Sequence, residues 1–385
     1  MKSPEHFFAP CPRGLEQPLV DELTALGAQH IAPTDGGVGF QGEFALCYRV
    51  NLWSRVASRV LWRVAGGTYR NEDDIYRLAA SVDWPAHFEG GQTFAINTAA
   101  QKCPLKSLNF ITLKIKDAVC DRFREACGSR PDVDTRRPDV RLHAFLDAER
   151  ITLYLDTSGE ALFKRGWRKS TGEAPLRENL AAGILKLAGW KPGVPLLDPM
   201  CGSGTFLMEA AMMSLDIAPG LGRGFGFEQL ANFDARTWAK IRREATDARR
   251  PLEKLPIFGS DLSSFALNDA RRNFAEAGLG EAVTLSQGDV LNMEAPAEAG
   301  ILVTNPPYGE RIGDQQALAE LYPRLATVLK QRFAGWTAYI LTADTRLPKL
   351  MRLKPSRKTP LFNGPLECRL YEIRLVAGSN RPGKN

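Results

Sequence analysis

This sequence predicts an α/β chain in two portions, and three observations lead there. The second half alternates strand-like and helix-like stretches, the pattern of a parallel sheet with helices on both faces. A glycine-rich turn, "DPMCGSGT", stands where the first of those strands runs into a helix. The first half alternates shorter strands and helices without such a turn, as a small α+β unit does. At 385 residues the chain exceeds the usual size of one domain, so at least two cores are expected.

In the first portion, "GLEQPLVDELTALGA" sets Leu15, Leu19, Leu23 and Leu26 at helical spacing, with Gly27 as the stop. "GGVGFQG" reads as a short strand between turns. The run "EFALCYRVNLWSRVASRVLWRVAGG" mixes apolar and basic positions, with Trp53, Leu61 and Trp62 expected inward. "NEDDIYRLAASV" reads as a helix, "QTFAINTAA" as a strand and "NFITLKIKDAVCDRFREACG" as a helix; two further strands flank a turn at Asp147 to Arg150. Arg122, Arg124, Arg130, Arg136, Arg137 and Arg141 are by default a solvated face. They also suit phosphate, because backbone contacts need positive charge but little spacing precision.

A basic, polar run, "KRGWRKSTGEAP", separates the portions and places the domain boundary between 1–165 and 166–385. Beyond it come a helix, "LRENLAAGILKLAGW", and the turn, strand, glycine loop and helix of "KPGVPLLDPMCGSGTFLMEAAMMSL". Strand "LPIFGSDL", helix "SSFALNDARRNFAEAGL", strands "AVTLSQGDV" and "ILVTNPPYG", helix "QQALAELYPRLATVLKQRF" and strand "GWTAYILTA" follow. Ligands of such sheets sit at the carboxyl ends of the strands.

A formal charge of +6 permits a polyanionic partner without demanding one. Seven scattered cysteines without a C-x-x-C pair, and four distant histidines, indicate neither a disulfide framework nor a structural metal. The N-terminus lacks a long apolar stretch and no run of about 20 apolar residues occurs, so a cytoplasmic protein with no membrane partner is expected.

Asp198 ends the first strand, and Gly202 and Gly204 allow a sharp turn and close approach of backbone to a ligand. An acidic residue just before the glycines would repel phosphate, so the loop of Asp198, Pro199, Cys201, Gly202, Ser203, Gly204 and Thr205 suits a cationic ligand. S-adenosylmethionine carries both an ammonium and a sulfonium charge. Asp261 closes the second strand, where a carboxylate can accept from two ribose hydroxyls. Asp289 closes the third, near where an adenine amine would lie. Three successive strand ends thus deliver carboxylates to one edge.

The fourth strand ends in Asn305-Pro306-Pro307-Tyr308, which in isolation is an ordinary turn. At that edge it can do more. The Asn305 side-chain oxygen and the Pro306 carbonyl can accept from an exocyclic amine and hold its lone pair towards a methyl donor, so that positioning replaces a strong base. The prolines stiffen the turn. Tyr308 can stack on a base, returning about 1–3 kcal/mol against an unstacking cost of a few kcal/mol. Taken alone, "NPPY" fits adenine-N6 or glutamine methylation equally well.

Together "DPMCGSGT", "GSD" and "NPPYGER", preceded by "APLRENLAAGIL", resemble the bacterial 23S ribosomal RNA guanine-N2 methyltransferases that carry an N-terminal THUMP domain. The likeness extends to "RGLE", "GGVGFQG", "LWSRVASRV" and "LDTSGEALFKRGWR", and so covers nearly the whole chain. It implies a ferredoxin-like and THUMP RNA-binding module, the THUMP part at about 45–157, followed by a Rossmann-like class I methyltransferase domain that makes N2-methylguanosine in 23S rRNA or a large-subunit assembly intermediate.

By motif position the resemblance places Asp198 and Gly202 to Thr205 at the methionine part of the cofactor, Asp261 at the ribose, Asp289 at the adenine and Asn305 to Tyr308 at the target amine. Some relatives add a second domain that makes 7-methylguanosine; this chain ends too soon for that activity to be expected. The segment between the first two sheet strands, including "APGLGRGFGFEQL", is longer than a crossover needs, an insertion the family shares. The alternatives are a THUMP-containing tRNA guanine-N2 methyltransferase and a non-catalytic RNA-binding or ribosome-assembly factor. Where the basic residues of "KRGWRKS" and "RLKPSRKTP" meet phosphate, RNA affinity falls steeply with rising salt; a flat salt profile in a binding titration restores them to solvated surface.

Overall fold

The computed structural model describes residues 4–168, 176–306 and 312–376, which form two compact units. The first holds the described residues up to Cys11, then Leu19–Leu162 and Arg223–Glu244; the second holds Pro12–Pro18, the described residues of Phe163–Gly222, and those from Ala245 onward.

In chain order the first portion gives β1 (Glu5–Pro10), α1 (Glu16–Ala25), β2 (Gln29–Thr34), β3 (Gly37–Gly42), α2 (Ala45–Trp53), β4 (Leu61–Thr68), α3 (Glu72–Ala80), β5 (Phe94–Ala100), α4 (Leu108–Cys127), β6 (Val140–Leu146) and β7 (Arg150–Asp156). The strands make one sheet in the order β2-β3-β1-β4-β7-β6-β5. Alternation explains β6, where Val140, Leu142, Ala144 and Leu146 are buried. Helical spacing explains α4, which buries Ile111, Ile115, Val119 and Phe123. Ser107 caps its start by accepting from the Phe110 N–H, and Gly128 at φ +73° follows its end. In α3 the Asn71 side chain accepts from the Asp73 and Asp74 N–H groups, and three acidic residues sit in the first turn, where the helix dipole favours them.

The mixed run at 43–67 is two elements, α2 and β4. The buried Glu22 carboxylate divides them by accepting from the Ser54 hydroxyl at 2.7 Å and from the Arg55 and Val56 N–H groups, so the chain turns there. Leu61 and Trp62 are buried and Trp53 is half-buried. β1 was not apparent from the pattern, and neither was β2, an edge strand with no buried residue and hence no alternation to read.

The second portion gives α5 (Glu178–Leu187), β8 (Leu196–Asp198), α6 (Thr205–Ser214), α7 (Ala235–Asp247), β9 (Ile257–Asp261), α8 (Ser264–Glu276), β10 (Thr284–Gln287), β11 (Gly300–Thr304), α9 (Ile312–Arg332), β12 (Trp336–Thr342), α10 (Leu347–Met351), β13 (Arg357–Asn363) and β14 (Leu366–Arg374). The sheet order is β10-β9-β8-β11-β12-β14-β13. Five strands are parallel, as expected, but β14 pairs antiparallel with β12, and β13 antiparallel with β14, so the sheet is mixed. β13 takes in part of "RLKPSRKTP". As an edge strand it exposes its basic residues and tolerates Pro360, which hides it from an apolar-pattern reading. Leu302, Ala338, Ile340, Tyr371 and Ile373 meet Tyr322, Leu325 and Leu329 of α9 in the core.

Much of the long segment between β8 and β9 belongs to the first unit. Arg223 donates to the carbonyls of Ala161, Ser158 and Glu160 at 2.6, 3.1 and 2.6 Å, and Phe227 packs on Tyr48 and Trp238 with ring centroids 4.4 and 5.0 Å apart. Among the described residues no helix is long and apolar enough to cross a membrane.

β11 begins at Gly300, where an added Cβ would stand 2.6 Å from the Pro195 carbonyl oxygen and 2.8 Å from the Trp336 ring. Gly300→Ala is therefore expected to destabilise by about 1–3 kcal/mol. A urea midpoint equal to the parent's would refute that close approach.

Candidate active site

Parallel register sets three strand ends side by side. Asp198 of β8 pairs with Gly259 of β9, and Leu302 of β11 pairs with Leu197 of β8, so Thr304 and Asn305 come just beyond the level of Asp198. The glycine turn leaves β8 and is tied to β9: the Cys201 N–H donates to the Ser260 carbonyl at 2.9 Å, and the Gly202 N–H to Asp261 Oδ2 at 2.9 Å. Gly202 and Gly204 have φ of +53° and +82°, a region that favours glycine. Their roles differ. A Cβ on Gly204 would meet the Phe274 ring at 3.0 Å, so this glycine lets α8 pack close. Around Gly202 none of the described residues lies within 4 Å of that position, and among them the turn presents an open face there.

The other expected site residues divide between lining and support. The Pro199 carbonyl accepts from the Ser260 hydroxyl at 3.3 Å, and the Ser203 carbonyl from Asn273 Nδ2 at 3.2 Å, so both brace the turn. Burial pushes the Cys201 thiol up, which keeps it protonated and unreactive. Thr205 opens α6, and its hydroxyl accepts from Arg168 at 2.7 Å. Asn305 is half-buried and Pro306 buried at the end of β11; Pro307 and Tyr308 lie outside the described residues.

Asp289 departs from its expected place. β10 ends at Gln287, and Asp289, two residues on, caps a short turn by accepting from the Leu291 N–H at 2.9 Å. Arg168 and Glu178, whose buried side chains pair 2.9 Å apart beside Thr205, carry no sequence signal of that position. One lies in the polar boundary run and the other in a helix, and no spacing rule joins them.

Residues 165–372 match the family described as RMKL-like, methyltransferase domain; residues 69–156 match the THUMP domain and residues 6–61 the RlmL ferredoxin-like domain. The chain belongs to the RMKL-like methyltransferase family. The expected architecture of ferredoxin-like and THUMP domains before a methyltransferase domain holds. This family member is 40% identical over 370 residues to "Putative RNA methyltransferase slr0064" of Synechocystis sp., covering 96% of each chain. It is 40% identical over 393 residues to "Ribosomal RNA large subunit methyltransferase K/L" of Aeromonas salmonicida, covering 96% of this chain and 54% of that one, so it spans about half the length of such relatives. A solved structure, "a putative methyltransferase complexed with SAH", superposes with a TM-score of 0.88 at 31% identity, covering 98% of this chain and 100% of the other.

Within this methyltransferase domain the two carboxylates have unlike surroundings. Asp261, half-buried, accepts from the Gly202 and Ser263 N–H groups, at 2.9 Å each. A carboxylate has about four acceptor sites, so roughly two remain for a ligand. Asp198 is 2% exposed and accepts from the Met200 N–H at 3.2 Å. Burial pushes its carboxyl up to about 7; the Thr304 hydroxyl and the Met200 N–H oppose the shift and the Asp261 charge adds to it.

Because the folded state then holds a proton that the unfolded chain has lost, stability of the ligand-free protein should fall as pH rises from about 4 to 7 and level off above that. Asp198→Asn should remove this decline. Parallel stability–pH curves for parent and variant, from denaturant titrations, would contradict the assignment.

Proposed function

We propose that the protein transfers a methyl group from S-adenosylmethionine to the exocyclic N2 amine of a guanosine in 23S rRNA, giving N2-methylguanosine, and that it works in the cytoplasm. The observation that carries this reading is one sheet edge on which a buried carboxyl, a glycine turn with an open face and the Asn305-Pro306 strand end stand on adjacent strands. The names of the relatives support an RNA substrate, and large-subunit RNA in particular; the SAH-bound neighbour supports the cofactor.

The residues present fit the cofactor. A buried carboxyl pushed up to about 7 is one that an incoming ammonium holds as the carboxylate, which assigns Asp198 to the amino group of the methionine part. The open face at Gly202 leaves room for the chain that follows, and the unused acceptor sites of Asp261 suit the ribose hydroxyls. When bound, the cofactor supplies an electrophilic methyl group on its sulfonium. Pro199, Cys201, Ser203, Gly204 and Thr205 shape the turn, while Asp289, held as a cap, orders the backbone where an adenine would lie.

Asn305 and the Pro306 carbonyl accept from the target amine and aim its lone pair, and Pro307 and Tyr308 complete that grip. The alkylated nitrogen is acidic enough to lose its proton to water. Residues 1–165, whose THUMP match spans 69–156, bring the RNA, and 166–385 carry out the transfer.

Labelled methyl transfer to unmodified 23S rRNA, followed by nucleoside mass spectrometry, should yield N2-methylguanosine. Label in tRNA alone would overturn the substrate, and an inert protein that still binds RNA would overturn the catalysis. Asn305→Ala should lower kcat by about 100-fold while cofactor affinity stays nearly intact. Asp261→Ala should instead weaken cofactor binding, by about 10-fold in calorimetry; unchanged affinity would remove Asp261 from the ribose site.

A further inference from the structure

We propose that Arg346, Lys349, Arg352 and Lys354 form a track that binds the phosphates of the RNA flanking the target nucleotide, an inference that rests on the rRNA methyltransferase reading and deepens it. The track starts at the sheet edge where the target amine is placed. β12 lies beside β11 in parallel register, with Ile340 opposite Thr304, so it ends, at Thr342, near the level of Asn305 and Pro306. Asp198 and Asp261, assigned to the cofactor, end β8 and β9 on the other side of β11. An RNA strand that delivers a base to Asn305 is therefore left the β12 side of the edge to run along.

Between Asp344 and Glu367 the sequence has six cations and no acidic residue, and all six are exposed. The structure divides them. Arg357 lies opposite Glu372 in the β13–β14 pair, with Lys358 next to it on the edge strand, whereas the first four stay together between β12 and β13. Among the described residues Lys349, Arg352 and Lys354 have no carboxylate partner, so the net charge of the track is theirs. Arg346 is held by Asp344 through two bonds of 2.9 Å, from Nε to Oδ1 and from Nη2 to Oδ2. The Asp344 side chain is 7% exposed and that of Arg346 49%, so the acid fixes the guanidinium from below and leaves it donors to spare. An ordinary solvated face balances its cations instead: Arg272 sits 2.9 Å from Asp269, and Arg124 2.8 Å from Asp121.

The four residues are set out on a rigid floor. Arg346, Lys349 and Arg352 recur every third residue along the outer side of α10. Leu347, Met351 and Leu353 turn inward, into the core that also holds Leu302 of β11 and Ile340 of β12. The charges thus stand ready beside the strand that carries Asn305, with no chain to order on binding. Arg352 ends α10 at φ +49°, a conformation that disfavours any residue with a Cβ and that glycine would adopt freely. An arginine there adds a cation at the cost of an easier turn. Unpaired cations in a row complement a phosphate backbone, whose contacts position RNA without reading it. From 345 to 358 there is no aromatic or amide side chain, so the track grips the backbone and leaves the base to the Asn305 end.

The test is a salt titration of binding to unmodified 23S rRNA. It compares the parent with a triple variant, Lys349→Gln, Arg352→Gln and Lys354→Gln; a charge-keeping variant, Lys349→Arg and Lys354→Arg; and a control on α7, Arg236→Gln, Lys240→Gln and Arg243→Gln. The triple variant should bind about 10- to 100-fold more weakly at about 0.1 M salt, and its slope of log affinity against log salt should be shallower by about 2, at about 0.7 per lost contact to a single strand. S-adenosylmethionine affinity in calorimetry should stay at the parent's value, which shows that the variant folds. The charge-keeping variant should match the parent, and the α7 control should lose less. An equal loss from the α7 control would reduce the effect to net charge, and a loss in the charge-keeping variant would reduce it to packing; either overturns the track. Parallel slopes for the parent and the triple variant would also overturn it, leaving its charge for an acidic protein surface. If the parent methylates 23S rRNA in that last case, the track alone fails; a parent that neither binds nor methylates 23S rRNA would overturn the substrate reading and the track with it.

Discussion

The Gly202 N–H reaches from the turn after one strand to the carboxylate that ends the next, 2.9 Å away, and the candidate site is built around that bond. It closes the turn in the left-handed conformation glycine allows, sets the direction in which α6 leaves, and leaves the turn's open face at the sheet edge. The bond exists only because β8 and β9 run parallel in a register that sets Asp198 opposite Gly259. Gly259 in turn has no room for a side chain, since a Cβ there would fall 2.2 Å from Leu207 of α6. Strand pairing, helix packing and turn geometry thus constrain one another at a few atoms.

Around this bond the acids work by contrast. Asp261 is satisfied by two backbone donors and keeps acceptor capacity to spare. Asp198 is buried and accepts from the Met200 N–H at 3.2 Å, and because a buried charge is costly its carboxyl is pushed up to about 7. At the far end of the turn the charge is paired: Arg168 meets Glu178 at 2.9 Å and donates to the Thr205 hydroxyl at 2.7 Å.

The long segment between β8 and β9 shows how chain order and compact units part company. Arg223 is held by three carbonyls and Phe227 by Tyr48 and Trp238, all within the first unit. The methyltransferase portion therefore lends part of its own sequence to the unit that precedes it. No composition shift marks that loan, because aromatic and arginine residues would serve equally well in either core.

The sequence by itself determined what short-range physics controls. A strand-like run revealed β6, helix-like stretches revealed α3 and α4, and a strand followed at once by glycines revealed the turn at Asp198 to Thr205. The tertiary structure alone decided what depends on partners distant in the chain. It made β2 and β13 strands through pairing, since their exposed residues carry no pattern of their own, and it turned the sheet mixed through β14. It used Asp289 as a cap, since the strand before it had already ended. It joined Arg168 to Thr205 across 37 residues, because a buried guanidinium goes where packing leaves it acceptors and not where any sequence spacing points.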